Sequence, residues 1–197
     1  FKQKTAYEIR LSLVGSEMCI RDRDRLFLTK PIGTGIITTA IKRGIASDES
    51  IKIVTDIMTE LNKKSLNFSL DNNANAITDI TGFGLLGHLY EMLNDSKLSA
   101  TIKFDSVPLI ENIYDYLDKE IFPSGSLRNY EYLSDKFISD LDEQSLKILC
   151  DAQTNGGFLI SIPKNQNIKL QKDMELNKNI WEIGEINSKY NEKINII

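Results

Sequence analysis

Apolar residues recur along the chain both in short strand-like runs and with helical spacing. The strand-like runs occupy residues 25–29, 75–80, 100–105, 158–163 and 181–186. Helical spacing of apolar residues covers the ranges 36–44, 48–67, 85–93, 108–119 and 140–149. Strands alternate irregularly with helices, and the strands are few. The pattern therefore predicts an α+β fold in which a small mixed β-sheet packs with helices.

Local signals refine several of these elements. Gly44 is well placed to end the first helix, and Ser47 to cap the second. The apolar face of that second helix consists of Ile51, Val54, Ile57, Met58 and Leu61. Residues 100–105 alternate between polar and apolar side chains, so this strand should be half exposed. Residues 181–186 should form an edge strand, and residues 122–130, which include Ser-Gly-Ser, should form a loop.

The stretch "TDITGFGLLGHL" (residues 78–89) places the spacing G-x-G-x-x-G between a strand-like run and a helical one. Dinucleotide-binding turns have this spacing and an acidic residue about 20 residues later, and Asp105 ends the next strand. Two features disfavour that function. Asp79 lies close to the end of the first strand, and no regular series of βα units follows.

Asp79 itself has two interpretations. As a residue type before a glycine turn, it suits a helix cap or a turn. A carboxylate at a strand end, next to backbone that a ligand can approach, also suits a hard cation held together with substrate phosphates. The residues alone leave both interpretations open.

Other candidate residues each have a structural alternative. His88 is a poor metal site without a partner, so packing or capping is favoured. Lys30 precedes glycines that open a helix and could meet phosphate there, or it is simply solvated. Arg128 could bind a phosphate or carboxylate, or lie on the surface. Amides of the turn 153–157 could hold an anion, or the turn is a plain connection. Cys150 has no adjacent base, which favours buried packing.

The first 23 residues do not look like part of the fold. Residues 2–9 and 13–22 match translations of adapters used in short-read sequencing, in the right order. We therefore expect residues 1–23 to be foreign and to lack specific packing, and residues 24–197 to be the native domain. The natural protein would then extend further at its N-terminus.

Removing this segment changes the charge and the cysteine count. It carries five basic and three acidic residues, so the remainder has a net charge of −6 instead of −4. An acidic chain without a long apolar run predicts no nucleic-acid partner and no membrane association. Cys19 falls within the segment, which leaves Cys150 alone and allows no internal disulfide. A cytoplasmic location is expected.

Five stretches of the chain, taken together, resemble the C-terminal domain of selenide, water dikinases (selenophosphate synthetases). They are "DRLFLTKPIGTGI", "ITDITGFGLLGHL", "FPSGSLRNY", "LCDAQTNGGFLISIP" and "IGEI", and they span essentially all of residues 24–197. Two departures are mild. "DAQTNGG" stands where the family commonly has D-P-Q-T-S-G-G, and Ser124 occupies a position often filled by glycine.

The resemblance implies a fold similar to the C-terminal domain of aminoimidazole ribonucleotide synthetase. It implies synthesis of selenophosphate from selenide, ATP and water, with release of AMP and phosphate, by a homodimer of two-domain subunits. ATP and magnesium would be held mainly by the N-terminal domain, and Asp79 would contribute to the metal site. The catalytic nucleophile and the other metal carboxylates would lie in the absent half, so no catalytic residue is assigned and the fragment alone should be inactive.

Two other classes of function remain as alternatives. One is another ATP-dependent enzyme of the same superfamily, such as a thiamine-phosphate kinase or a purine-pathway synthetase. "LFLTKPIGTG" together with "DITGFGLLGH" argues against it. The other is a non-catalytic binding domain that stands alone.

Overall fold

The computed structural model of the chain describes residues 19–93, 96–168, 179–188 and 193–197. The strands in these ranges are β1 (Arg25–Leu28), β2 (Ala76–Asp79), β3 (Ser99–Ile102), β4 (Phe137–Ser139), β5 (Phe158–Ile162), β6 (Trp181–Asn187) and β7 (Ile194–Ile196). They form one sheet in the order β2-β5-β1-β6-β3-β7-β4. β7 pairs in parallel with β3 and β4, and the other pairs are antiparallel. The predicted α+β fold with a mixed sheet is confirmed.

The helices in the same ranges connect these strands. They are α1 (Thr34–Lys42), α2 (Asp48–Thr59), α3 (Lys63–Asp71), α4 (Gly84–Leu93), α5 (Tyr114–Leu117), α6 (Ser124–Leu133) and α7 (Glu143–Leu149). The predicted cap of α2 is present, because Ser50 N donates to Ser47 Oγ at 3.1 Å. Gly44 follows α1 with a φ of 70°, as a helix-ending glycine does.

Apolar side chains pack on both faces of the sheet around β1. Leu26 and Leu28 belong to the main core cluster, whereas Phe27, which points the other way, belongs to a second cluster. There its ring meets Phe68 of α3 edge-on, with 5.9 Å between ring centroids. β1 is therefore buried on both sides, which fits its apolar sequence "LFL".

The helix predicted over residues 48–67 is interrupted. α2 ends at Thr59, Glu60 has an extended backbone (φ −63°, ψ 129°), and α3 begins at Lys63. Leu61, predicted on the buried face, is 78% exposed. The helix predicted from the periodicity is therefore wrong after Thr59. There the last carbonyl groups of α2 accept hydrogen bonds from residues far away in the sequence, and the helix does not continue.

Two further predictions, one of a loop and one of a helix, are also wrong. Residues 122–130, expected as a loop, lie mostly in α6. The helix expected over residues 108–119 is reduced to α5, because Ile32 pairs with the segment: Ile32 N donates to Pro108 O and Ile110 N to Ile32 O. The positive φ of Asn112 (63°) then separates this extended segment from α5.

The sheet also differs from the expected exposure of its strands. β6 is not an edge strand, because it lies between β1 and β3. All four residues of β3 are buried, so the half-exposed strand predicted from alternation is wrong. The short strands β7 and β4, which carry weak sequence signals, continue the sheet beyond β3 and cover its edge.

Part of the N-terminal segment is described and it packs on the domain. Ile20 is 8% exposed within the main core cluster. Arg23 N donates to Ile186 O at 2.8 Å, which extends the pairing of β1 with β6 by one more bond. The expected lack of packing is therefore wrong for these residues, since an apolar side chain next to a strand can be buried whatever its origin. Residues 1–18 lie outside the described residues.

Candidate functional site

Asp79 is the last residue of β2, at the end of the strand order. It pairs with Phe158 of β5 in the antiparallel ladder. Its side chain is half-buried. Within the part of the chain that the structure describes, no group donates a hydrogen bond to its carboxylate. A half-buried carboxylate without a protein partner is free to bind a ligand, whereas a capping aspartate would be engaged by backbone N–H groups.

The glycine turn after Asp79 packs closely against the backbone at Cys150. Gly84 has a φ of 71°, and a Cβ there would lie 2.6 Å from the carbonyl carbon of Cys150. Asn129 of α6 fastens the same junction, because its Nδ2 donates to Gly82 O at 2.8 Å and to Cys150 O at 3.1 Å. The preceding strand is antiparallel, unlike the strand of a dinucleotide-binding unit. These glycines therefore serve the turn beside Asp79.

His88 of α4 is buried between two polar partners. Its Nε2 lies 3.1 Å from Thr81 Oγ1 and its Nδ1 lies 3.1 Å from Glu91 Oε2. Burial lowers the pKa of the imidazole, and the charges of Glu91 and Asp79 oppose this shift. Its ring also lies 5.7 Å from that of Phe83. His88 is thus held by its own chain, as the packing interpretation expected.

Lys30 is neither solvated nor directed at a phosphate. It is 4% exposed, and its Nζ donates to three carbonyl oxygens: Ile57 at 3.0 Å, Glu60 at 2.8 Å and Asn155 at 3.0 Å. Burial lowers the pKa of its ammonium group, and the charge of Glu60 partly opposes this. Lys30 therefore joins the end of α2 to the turn 153–157. Both sequence interpretations of this residue are wrong.

The N-terminus of α1 is occupied by a side chain that sequence reasoning missed. Asp151 is fully buried, and its Oδ2 accepts from Gly35 N at 3.0 Å and Ile36 N at 3.3 Å. Ser126 Oγ and Gln153 Nε2 also donate to its carboxylate, at 2.8 and 2.9 Å. Burial raises the pKa of Asp151 to about 6, although these four donors oppose the shift. The carboxylate takes the place that an anion would need.

Gln153 completes the closure of this helix end. Its Oε1 accepts from Gly33 N and Thr34 N, each at 3.1 Å. Thr34 Oγ1 in turn accepts from Thr154 N at 3.0 Å. The turn 153–157 is therefore docked on α1 by its own side chains, which favours the connecting role over an anion site.

A family model described as "AIR synthase related protein, C-terminal domain" matches residues 22–197. The chain belongs to this family. No helix within the described ranges of this AIR synthase related domain is long and apolar enough to cross a membrane.

Curated relatives of this domain are named selenide, water dikinase. That of Shewanella baltica (strain OS155) is 45% identical over 139 residues, which cover 71% of this chain and 39% of the relative. That of Clostridium botulinum (strain Eklund 17B) is 41% identical over 145 residues, covering 73% and 42%. The resemblance to selenide, water dikinases is confirmed, and the chain spans about two fifths of the length of these relatives.

Solved structures of other enzymes and maturation proteins share the fold. Thiamine-monophosphate kinase from Stenotrophomonas maltophilia superposes with a TM-score of 0.57 at 13% identity, covering 90% of this chain and 51% of that one. The hydrogenase maturation protein HypE from E. coli gives 0.56 at 14% identity, with 90% and 47% covered. At such low identity the likeness concerns the fold alone.

The remaining candidates of the AIR synthase related domain do not join the site. Burial raises the pKa of the Cys150 thiol to about 12, and the charge of Asp151 acts in the same direction, so a thiolate nucleophile is disfavoured. Arg128 is exposed on α6, next to Asn129. Among the described residues, no group of three His, Cys, Asp or Glu side chains could hold a metal ion. Asp79 is therefore at most part of a metal site.

Proposed function

We propose that this chain is the C-terminal part of a selenophosphate synthetase, which makes selenophosphate from selenide, ATP and water and releases AMP and phosphate. The observation that carries the proposal is the 41–45% identity to selenide, water dikinases. The proposal includes a native domain that begins at Asp24 and an N-terminal half that supplies the nucleophile. It also includes a cytoplasmic homodimer without nucleic-acid or membrane partners.

Within this function we propose that Asp79 binds magnesium together with the phosphates of ATP. The donor set suits this role, since Mg²⁺ prefers oxygen ligands and usually takes one or two carboxylates together with substrate phosphates. The half-buried Asp79 carboxylate lacks a protein partner among the described residues, which supports the assignment. The cation would neutralise phosphate charge during transfer. Asp79 would hold it from the side of the C-terminal domain.

The test is a charge-removing substitution in the complete enzyme, with the N-terminal half restored. Asp79→Asn keeps the shape of the side chain but removes the charge that a hard cation needs. We expect selenide-dependent AMP release to fall by a factor of about 100 or more, roughly 2.7 kcal/mol of transition-state stabilisation. The melting temperature should stay unchanged, because no group of the described residues donates a hydrogen bond to this carboxylate.

Asp105→Asn is the matched control. Asp105 is an exposed aspartate in the 3₁₀ turn Phe104–Ser106, and this change should leave AMP release at the level of the unmodified enzyme. Near-normal turnover and metal dependence in Asp79→Asn would sink the metal assignment. Phosphate transfer to thiamine phosphate with release of ADP would instead favour the thiamine-phosphate kinase alternative.

A further inference from the structure

A hydrogen-bonded chain of three side chains lies directly beside Asp79. Glu91 Oε2 lies 3.1 Å from His88 Nδ1, and His88 Nε2 lies 3.1 Å from Thr81 Oγ1. Glu91 is 54% exposed, whereas the side chain of His88 is only 9% exposed. The chain therefore runs from solvent, through a buried ring, to the hydroxyl that follows β2.

The direction of these hydrogen bonds follows from the chemistry of their ends. An ionised carboxylate only accepts, so the Nδ1 atom that faces Glu91 carries the proton. In the neutral ring Nε2 is then an acceptor, and the Thr81 hydroxyl donates to it. The lone pairs of Thr81 Oγ1 are left free, because no other group of the described chain donates to this oxygen.

Thr81 and Asp79 lie on the same side of the backbone. The ladder continues past β2, since Ile80 N donates to Gly157 O at 2.9 Å, and Ile80 is fully buried. In an extended chain residues i and i+2 share a side, opposite to i+1. The half-buried side chains of Asp79 and Thr81 thus both point away from the core that holds Ile80. The charge of Asp79 also acts on His88, the partner of Thr81.

We propose that His88 and Glu91 are positioning residues that hold Thr81 Oγ1 as a second oxygen ligand, beside Asp79, for a hard divalent cation. This inference rests on the proposed function and names a further ligand of its metal site. A threonine hydroxyl is a suitable oxygen ligand for Mg²⁺ next to phosphates. A hydrogen-bonded partner behind a ligand fixes its orientation and strengthens metal binding. His88 itself does not touch the cation.

The arrangement of protons can be tested without any activity. The chain contains one histidine, so the ¹⁵N spectrum of histidine-labelled protein reports on His88 alone. At pH 7.5 we expect the neutral tautomer with the proton on Nδ1. Finding the proton on Nε2 would overturn the proposal, because Thr81 Oγ1 would then accept from the ring and offer one lone pair fewer.

Binding of Mn²⁺ to the complete enzyme, with the N-terminal half restored, tests the ligand and is measured from the electron paramagnetic resonance signal of the free ion. Thr81→Val keeps the shape without the hydroxyl and should weaken Mn²⁺ affinity by roughly tenfold. Thr81→Ser restores the hydroxyl and should bind almost as the unmodified enzyme does. Equal affinity of the Val and unmodified enzymes would overturn the role of Thr81. Loss of binding in Asp79→Asn at the same time would leave the proposed function standing.

A second pair of variants tests the positioning residues separately from the ligand. Glu91→Gln keeps an oxygen that can accept from Nδ1, whereas Glu91→Leu removes it. Glu91 is exposed, so neither change should alter the melting temperature. We expect Glu91→Leu, but not Glu91→Gln, to shift the tautomer and weaken Mn²⁺ binding severalfold. Identical behaviour of the two variants, or no Mn²⁺ binding by the unmodified complete enzyme at millimolar concentration, would overturn the proposal. The role of Asp79 in metal binding would still be tested by AMP release from the Asp79→Asn enzyme.

Discussion

At Asp151 a fully buried carboxylate holds the start of α1, and its ionisation should make stability depend on pH. Burial raises its pKa from 3.8 to about 6 in the folded chain. Because the folded state keeps the proton longer, this group's stabilising contribution is fully present below pH 3.8 and is lost as the pH rises through about 6. Between pH 4 and 6 the free energy of unfolding should therefore fall, relative to Asp151→Asn, by up to roughly 3 kcal/mol.

Urea unfolding of both proteins at several pH values between 4 and 7 measures this difference. Comparing the two proteins cancels the titration of the other carboxylates. A difference that does not change with pH would mean that the helix N-terminus and the four donors keep Asp151 ionised already at pH 4. That result would contradict the raised pKa.

Lys30 is the second residue whose removal should disturb the fold. Lys30→Met keeps most of the volume of the side chain but leaves the carbonyls of Ile57, Glu60 and Asn155 without their charged donor. A hydrogen bond to a charged group contributes about 1.5–3 kcal/mol, so we expect a loss of about 2–3 kcal/mol in the free energy of unfolding. Lys52→Met, on the exposed face of α2, is the matched control and should change stability little. Equal stability of the two variants would contradict the joining role of Lys30.

The sequence predicted that Asp79 lies at the end of a strand, but it did not predict the contacts of Lys30 and Asp151. Asp79 stands at the end of an apolar run, a local signal that needs no knowledge of the fold. Lys30 instead meets Asn155, 125 residues away, and Asp151 meets Gly35, 116 residues away. Contacts between residues so far apart in the sequence leave no periodic pattern of apolar positions. The burial of Lys30 could therefore not be predicted without the tertiary structure.

Among the elements, local signals predicted α4 and the start of α2, and they failed for the end of α2 and for α6. Ser47 caps α2 through a neighbour three residues away, so its start is visible in the sequence. α6 begins with Ser-Gly-Ser, which has poor helix propensity. Its anchors are tertiary: Asn129 reaches the glycine turn, and Ser126 reaches Asp151. The same holds for β6, whose central place in the sheet depends on its partners and not on its own pattern.

Ser126 should accordingly be the main anchor of α6. Its buried hydroxyl donates to Asp151 Oδ1 at 2.8 Å and accepts from Ala152 N at 3.0 Å. Ser126→Ala leaves both groups unpaired, so we expect a loss of about 1–3 kcal/mol in the free energy of unfolding. Amide hydrogen exchange should rise first in α6. Ser124→Ala, at an exposed position of the same helix, should change neither quantity. Unchanged exchange in Ser126→Ala would show that Asn129 suffices to hold the helix.

At the scale of the whole molecule, the fold places Asp79 on the edge strand β2, and among the described residues it belongs to no cluster of three metal-binding side chains. Its neighbours Thr81, His88 and Glu91 form one hydrogen-bonded chain. The turn 153–157 and α1, by contrast, are closed by Asp151 and Gln153. In the proposed function, Asp79 and Thr81 would be the oxygen ligands that this domain offers to a cation.

The chain alone should therefore lack dikinase activity. Phosphoryl transfer from ATP depends on a cation held by several oxygen ligands and on groups that position the phosphates. In the described residues no group of three metal-binding side chains exists, and burial raises the pKa of the Cys150 thiol to about 12, which disfavours it as the nucleophile. The chain covers only 39–42% of the length of its selenide, water dikinase relatives.

Incubated with selenide, ATP and Mg²⁺, the purified chain should release no more AMP than a control without protein. The complete enzyme, assayed in parallel, should release AMP only when selenide is present. Selenide-dependent AMP release by the chain alone, at a rate comparable to the complete enzyme, would show that the catalytic groups lie within these 197 residues.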